Sequence, residues 1–179
     1  MTSRYLDVAP AAKEVMLPAV AEHIFALMRR NLATDGFVFV DPGAGTVSAA
    51  GATLASPTYP DPPVPDGQGG PQDYLFNWVR DAAIAALELA APSAPLADSQ
   101  RAQHLSDYVK FAQVCQANPA TDDARWDNFA RACFTVEGKP RAWSNQADGP
   151  ALQSLAVLQA YQWIDDTTRA IARELIGAT

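Results

Sequence analysis

The sequence predicts an all-α protein in which helical hairpins form either a toroid or a bundle, with a small β-hairpin near the N-terminus. Five segments carry a helical pattern of apolar residues. They alternate along the chain between amphipathic segments and segments that are apolar on nearly every side. Helices joined by modest loops pack antiparallel to their neighbours, so every second helix points in the same direction. The alternation predicts outer helices that face water and inner helices that face protein.

Length and composition indicate one globular domain, covering residues 1–179. The chain is 49% hydrophobic and 18% charged, which is typical of a folded protein. Thirteen Lys and Arg against twenty Asp and Glu give a net charge of −7 without a basic patch, which argues against nucleic acid as a partner. No secretory signal is visible, and no run reaches the ~18 apolar residues that a membrane span needs. The sequence therefore predicts neither export nor a membrane partner, and it does not indicate a compartment.

The amphipathic helices are predicted over residues 18–33, 99–117 and 166–176. In the first of these helices the apolar face is predicted to consist of Val20, Ile24, Leu27 and Met28. A β-hairpin is expected to pair residues 37–40 with 46–49 across a turn rich in Pro and Gly.

The two apolar helices are predicted over residues 81–89 and 152–164. The second helix opens at Asp148, as an expected N-cap, with Pro150 in its first turn. Because alternate helices are parallel, the N-terminal ends of these two helices should lie at the same end of the molecule. The segments around Asp81 and Asp148 should therefore share one face.

The residues best suited to chemistry precede these two helices. Tyr74, Trp78, Arg80 and Asp81 lie within ten residues before and at the start of the first, and Trp143 precedes the second. Carboxylate and guanidinium groups bind sugar hydroxyls through charge-assisted hydrogen bonds, and aromatic rings lie against the C–H face of a pyranose. The alternative interpretation is structural, with Asp81 as an N-cap, Arg80 as its surface partner and the aromatic residues in the core.

No cofactor or metal site is predicted. Cys115 and Cys133 belong to no metal-binding or redox motif and are predicted to be buried thiols. His23 and His104 have no diagnostic neighbours, and Gly67–Gly70 does not fit a phosphate-binding loop.

Several motifs, in order, resemble the consecutive sequence blocks of glucoamylases, the family 15 glycoside hydrolases. The matching strings are Ala55–Pro57, Tyr74–Asp81, Phe134–Gly138, Trp143 and Gln146–Leu152. The resemblance covers about residues 37–165. It implies the N-terminal portion of a catalytic domain, an incomplete (α/α)6 toroid, in enzymes that release glucose from the non-reducing ends of α-glucans with inversion.

The resemblance also implies roles for single residues. Arg80 and Asp81 would hold hydroxyls of the terminal glucose, and Tyr74 would line that subsite near the reacting bond. Trp143 would cover the neighbouring sugar, and Trp78 would shape the pocket. The spacing from Trp143 to Asp148 is one residue shorter than in the family.

The catalytic pair of such an enzyme is missing from this sequence. Inversion needs a general acid and a general base ~6.5–9.5 Å apart. In the family both follow later in the chain, whereas Asp165, Asp166 and Glu174 lie beside or on a solvated terminal helix and fit neither role. We therefore expect no catalytic residue in this chain and no activity from it alone. The length of the chain agrees with this expectation. The twelve helices of a complete toroid and their connections need at least ~180–215 residues, and this chain has 179.

Two alternatives remain open. One is a non-catalytic helical module that binds sugar or regulates, and the other is a plain self-associating helical protein. The apolar faces of the inner helices would be exposed or covered by another copy of the chain, and faces of that kind promote association.

Overall fold

A computed structural model describes residues 10–34, 40–41, 46–55, 76–118, 131–141 and 146–177. In these residues the chain forms five helices and two antiparallel pairs of two-residue strands. The helices are α1 (Pro10–Arg29), α2 (Val79–Ala90), α3 (Asp98–Ala117), α4 (Asp148–Ala160) and α5 (Asp166–Gly177). The strands are β1 (Val40–Asp41), β2 (Thr46–Val47), β3 (Asn77–Trp78) and β4 (Cys133–Phe134). The predicted all-α class is confirmed.

Helices α2 and α4 lie side by side and point in the same direction. At their N-terminal ends Gly149 lies beside Val79, and a Cβ on the glycine would be 3.4 Å from the valine Cγ1, an ordinary van der Waals distance. Beyond their C-terminal ends the indole of Trp163 donates a hydrogen bond of 3.2 Å to the carbonyl of Ala90. The parallel arrangement predicted for the two apolar helices is confirmed.

The main core lies where α2, α3, α4 and α5 meet. Helix α2 contributes mainly alanines to it, so α4 can approach closely, while larger residues of α3 and α5 fill the remaining space. Its buried residues include Leu89, Leu105, Val109, Val157 and Leu175. Helices α3 and α5 keep an exposed face on the opposite side. This pattern matches the predicted outer helices.

One face of the inner helices is exposed, which differs from the expectation that other elements surround them. Ile84 on α2 is 48% exposed, and Leu155 and Leu158 on α4 are 46% and 56% exposed. Ile84 lies one helical turn after Arg80, so the apolar face of α2 follows directly on its charged N-terminal end. Its exposure agrees with the expectation for an incomplete toroid.

The predicted apolar face of α1 is wrong in three of its four residues. Val20, Ile24 and Leu27 are exposed, whereas Met28 and Phe25 pack against the core. Apolar residues occupy two adjacent stripes of this helix, so its periodicity does not decide which stripe is buried. The helix also begins at Pro10, earlier than predicted, and contains Pro18 in its interior.

The predicted β-hairpin is confirmed in shorter form. Val40 pairs with Val47 and Asp41 with Thr46, while residues 35–39 and 42–45 lie outside the described residues. The second sheet, in which β3 pairs with β4, was not predicted, because two-residue strands carry no periodic signal.

Both cysteines are free and buried, as predicted. Burial raises the pKa of the Cys115 thiol. In the part of the chain that the structure describes, no helix is both long and apolar enough to span a bilayer.

Candidate active site

The candidate site is built on strand β3, which leads directly into α2. Asn77 and Trp78 pair with Phe134 and Cys133 of β4, and the Val79 amide donates to the carbonyl of Ala132 at 3.0 Å. These bonds hold the first turn of α2 against β4. The direction in which α2 starts is therefore set by residues that lie more than fifty positions later in the sequence.

A second support reaches this strand from the N-terminal part of the chain. The buried side chain of Asn77 accepts a hydrogen bond of 2.9 Å from the backbone amide of Thr53. The Ala55 amide also donates to the carbonyl of Phe76. A buried side-chain acceptor must be paired to avoid a desolvation penalty, so the Asn77–Thr53 bond fixes the strand in register with residues 53–55.

Arg80 lies between two carboxylates at the N-terminal ends of the inner helices. Its Nη2 is 3.6 Å from Oδ2 of Asp81, and its Nη1 is 3.8 Å from Oδ2 of Asp148. The side chains are 42%, 38% and 55% exposed, respectively, so a ligand can reach all three. The predicted convergence of the two helix entrances is confirmed.

Neither aspartate caps its helix. The N-cap of α2 is Trp78 and that of α4 is Ala147, and neither makes a side-chain cap bond. The expectation that Asp148 is an N-cap is therefore wrong, and so is the alternative interpretation of Asp81 as a cap. Both carboxylates lie in the first helical turn, where the partial positive charge of the helix N-terminus stabilises them.

Trp78 is buried rather than exposed in an open pocket. It is only 9% exposed and packs with Ala132, Cys133, Phe76 and Ala55. It is a core aromatic at the N-cap of α2. Tyr74 and Trp143, the other two predicted site residues, lie outside the described residues.

Two buried arginines near the site were not singled out from the sequence. Arg131 donates from Nη1 to the carbonyl of Arg141 at 3.0 Å, and both arginines are 2% exposed. The Arg141 guanidinium lies 3.5 Å from the ring centroid of Phe76, and its backbone amide donates to Cys133. The two arginines connect the chain segment that precedes Trp143 to strands β3 and β4. Single arginines in a loop have no diagnostic spacing, so no sequence signal marked them.

Two of the three carboxylates that follow Asp148 in the described residues have structural partners on α5. Asp165 accepts a hydrogen bond of 2.7 Å from the backbone amide of Thr168, and this bond lowers the pKa of Asp165. Asp166 pairs with Arg169 at 2.9 Å, and Glu174 is exposed on the same helix.

The described residues offer no other obvious centre for chemistry. They contain no group of three or more His, Cys, Asp or Glu side chains that could hold a metal ion. A groove of about 340 Å³ lies between α1 and the loop after α2, lined in part by Glu22, Phe25 and Glu88. Because Glu88 is near the C-terminal end of α2, this groove is at the opposite end of that helix from Arg80.

The described helices have the arrangement of the helical toroid of glucoamylases. The fold is similar to that of a glucoamylase from Saccharomycopsis fibuligera, with a TM-score of 0.59 and 19% identity over 86% of this chain. It is also similar to a glucoamylase of Hormoconis resinae, with a TM-score of 0.58 and 22% identity over 88% of this chain. These matches cover 32% and 26% of the two solved chains, respectively.

The chain belongs to the glycosyl hydrolases family 15, whose sequence model matches residues 27–175. It is 30% identical over 125 residues to the intracellular, sporulation-specific glucoamylase of Saccharomyces cerevisiae. That match covers 64% of this chain and 20% of the yeast protein.

Proposed function

We propose that this chain is the N-terminal part of a glucoamylase-type glycoside hydrolase that releases glucose from the non-reducing ends of α-glucans with inversion. Family membership and the glucoamylase relatives support the reaction class. The observation that carries the proposal for this chain is the Arg80 guanidinium, held between Asp81 and Asp148 where two parallel helices begin. In this proposal the whole of residues 1–179 belongs to one catalytic barrel.

The proposed role of this cluster is to bind the terminal glucose. Arg80 can donate a hydrogen bond to a hydroxyl oxygen, and Asp81 can accept one from a hydroxyl group. The two side chains together can therefore bind two neighbouring hydroxyl groups of a sugar. Their partial exposure leaves both side chains open to a ligand. Tyr74 would line the subsite, Trp143 would cover the next sugar, and the buried Trp78 would support the floor.

We also propose that the general acid and base lie outside this chain. Inversion needs two carboxyl groups on opposite sides of the scissile bond, with room for a water molecule. Asp165 and Asp166 are engaged with Thr168 and Arg169, and Glu174 faces solvent on the same outer helix. None of the three is therefore available to act with Arg80 and Asp81.

Hydrolysis assays test this proposal directly. We expect the purified chain to release no glucose from maltose or soluble starch. Glucose release that survives Glu174→Gln would show that the catalytic carboxylates lie elsewhere within this chain.

A second assay tests the binding role in a longer polypeptide that contains the rest of the barrel. Arg80→Ala and Asp81→Asn should abolish glucose release there. Asp166→Asn is the matched control, because it removes an exposed carboxylate that also pairs with an arginine in the first turn of a helix. A kcat/KM near that of the unsubstituted enzyme in either site variant would contradict the binding role.

A non-catalytic sugar-binding or regulatory module is the second candidate. The observation that favours it is the presence of sugar-binding groups without an available acid–base pair. Calorimetric titration with maltose or acarbose separates the two candidates. A complete binding module should produce measurable heat with the purified chain, whereas half of a catalytic subsite should bind too weakly for calorimetry.

A further inference from the structure

An aspartate occupies the first turn of each of the four helices α2 to α5. Asp98 and Asp166 pair within their own helices, with arginines three residues later, at 3.3 and 2.9 Å. Asp148 is different, because its ionic partner is Arg80 of a neighbouring helix. Asp148 therefore links α4 to α2 at the candidate site.

The backbone of the two helices brings this pair together. Gly149 follows Asp148 directly and lies against Val79, the residue before Arg80. A Cβ at Gly149 would lie 3.4 Å from the Val79 Cγ1, an ordinary van der Waals distance, so the first turns of α2 and α4 are neighbours at this point. The spacing of the two helix entrances, rather than a long flexible loop, thus sets the distance between Arg80 and Asp148.

The geometry leaves Arg80 free to act on a ligand. Distances of 3.6 and 3.8 Å are ion-pair distances, longer than a hydrogen bond, and each carboxylate lies beside a different terminal nitrogen. A guanidinium carries five N–H donors in a fixed plane. The two carboxylates can therefore orient this plane while its donors remain available to neutral hydroxyl groups.

We propose that Asp148 is a positioning residue that holds the Arg80 guanidinium toward the terminal sugar, acting through Arg80 rather than on the sugar itself. This inference rests on the proposed function, because it assigns Arg80 to the sugar. Because the ion pair is exposed, its strength is modest, and its role is orientation more than stability. Loss of Asp148 should weaken sugar binding by about two- to fivefold, the range that an exposed pair supports.

The test uses the 15N-labelled chain and two signals. The first is the Nε–H resonance of Arg80, assigned by its loss in Arg80→Ala, and the second is the change in amide shifts with rising maltose concentration. Asp148→Asn should move the Arg80 resonance, speed its hydrogen exchange and weaken maltose binding. Asp148→Glu should restore part of each effect. Asp166→Asn, which breaks an ion pair within a single helix, should change neither signal.

A double-mutant comparison separates positioning from direct contact. In the Arg80→Ala background, Asp148→Asn should cause no further loss of maltose binding. An equal loss in both backgrounds would overturn the proposal, and so would an unchanged Arg80 resonance in Asp148→Asn. Complete absence of maltose-induced shifts would contradict the sugar-binding role that the proposed function gives to Arg80, and the sugar role of Asp148 with it. An unchanged Arg80 resonance would contradict the positioning role alone.

Discussion

The indole of Trp163 donates its Nε1 hydrogen to the carbonyl oxygen of Ala90 at 3.2 Å, which joins the C-terminal ends of α2 and α4. The Arg101 guanidinium of α3 lies 4.1 Å from the centroid of the same ring. The Trp163 side chain, in the turn after α4, therefore contacts both α2 and α3. This contact holds the C-terminal end of the helix pair whose N-terminal ends carry Arg80 and Asp148.

Replacing this indole tests how much the junction contributes to stability. Trp163→Phe keeps an aromatic ring for Arg101 but removes the donor to the Ala90 carbonyl. We expect a loss of about 1 kcal/mol in the free energy of unfolding, measured in urea. Trp163→Ala removes the ring as well and should cost more than Trp163→Phe, but less than the ~3 to 5 kcal/mol of a fully buried tryptophan, because Trp163 is partly buried. Equal stability of Trp163→Phe and the unsubstituted chain would show that the hydrogen bond contributes nothing.

Gly51 is a position that accepts only glycine, and its turn supports the segment that contacts Asn77. Its φ is +87°, and a Cβ there would overlap the backbone carbonyl of Asp107. Gly51→Ala should therefore lower the free energy of unfolding by more than about 1 kcal/mol, because it adds a backbone clash to a strained φ. Gly177→Ala is the matched control, since nothing lies within 4 Å of its Cβ position. Similar unfolding midpoints for the two variants would contradict this explanation.

The stability of the chain should fall as the pH drops through the range in which histidine titrates. Burial, and secondarily the charge of Arg29, lower the pKa of His104 from its ordinary value of 6.5. A group whose pKa is lower in the folded state stabilises the fold above its unfolded pKa and loses this contribution as the pH falls through the folded pKa. Below pH 6.5 the unfolded chain therefore takes up a proton that the folded chain still lacks.

Thermal unfolding as a function of pH measures this effect. The melting temperature of the unsubstituted chain should decrease on acidification from neutral pH toward pH 5, the interval of histidine titration. His104→Gln should show a shallower decrease over the same interval, because glutamine does not titrate. Parallel pH profiles for the two proteins would assign the loss of stability to other groups.

The exposed apolar face of the inner helices is expected to promote self-association. Leu155 and Leu158 lie on this face, and their replacement by glutamine should reduce any dependence of the sedimentation coefficient on protein concentration. Val47→Gln is the matched control, because Val47 is 54% exposed on β2 and does not belong to this face. A chain that sediments as a monomer at every concentration would contradict the expectation, as would an equal effect of the control.

Much of the secondary structure could be predicted from local patterns. The helices α3 and α5 begin and end within one residue of their predicted bounds, and α2 begins two residues earlier than predicted. Periodicity and composition are properties of a continuous segment, so they are visible in the sequence alone. The candidate site could be located for the same reason, since Arg80 and Asp81 stand next to each other at the start of a helix.

The face that each helix buries could not be predicted with the same success. In α1 the sequence offers two apolar stripes, and only contact with the core distinguishes Phe25 and Met28 from Val20 and Ile24. The roles of Arg131 and Arg141 were likewise invisible, because their partners are a backbone carbonyl and an aromatic ring elsewhere in the chain.

The sequence by itself determined which segments form helices, the alternation of inner and outer helices, and the guanidinium and carboxylate at the start of α2. Only the tertiary structure decided that Asp148 meets Arg80 and that α2 rests on β4. The physical reason is that helix formation depends on neighbours three and four residues away. A contact between residues that are distant in sequence depends instead on how complete helices pack, and here the alanines of α2 let α4 pack against it.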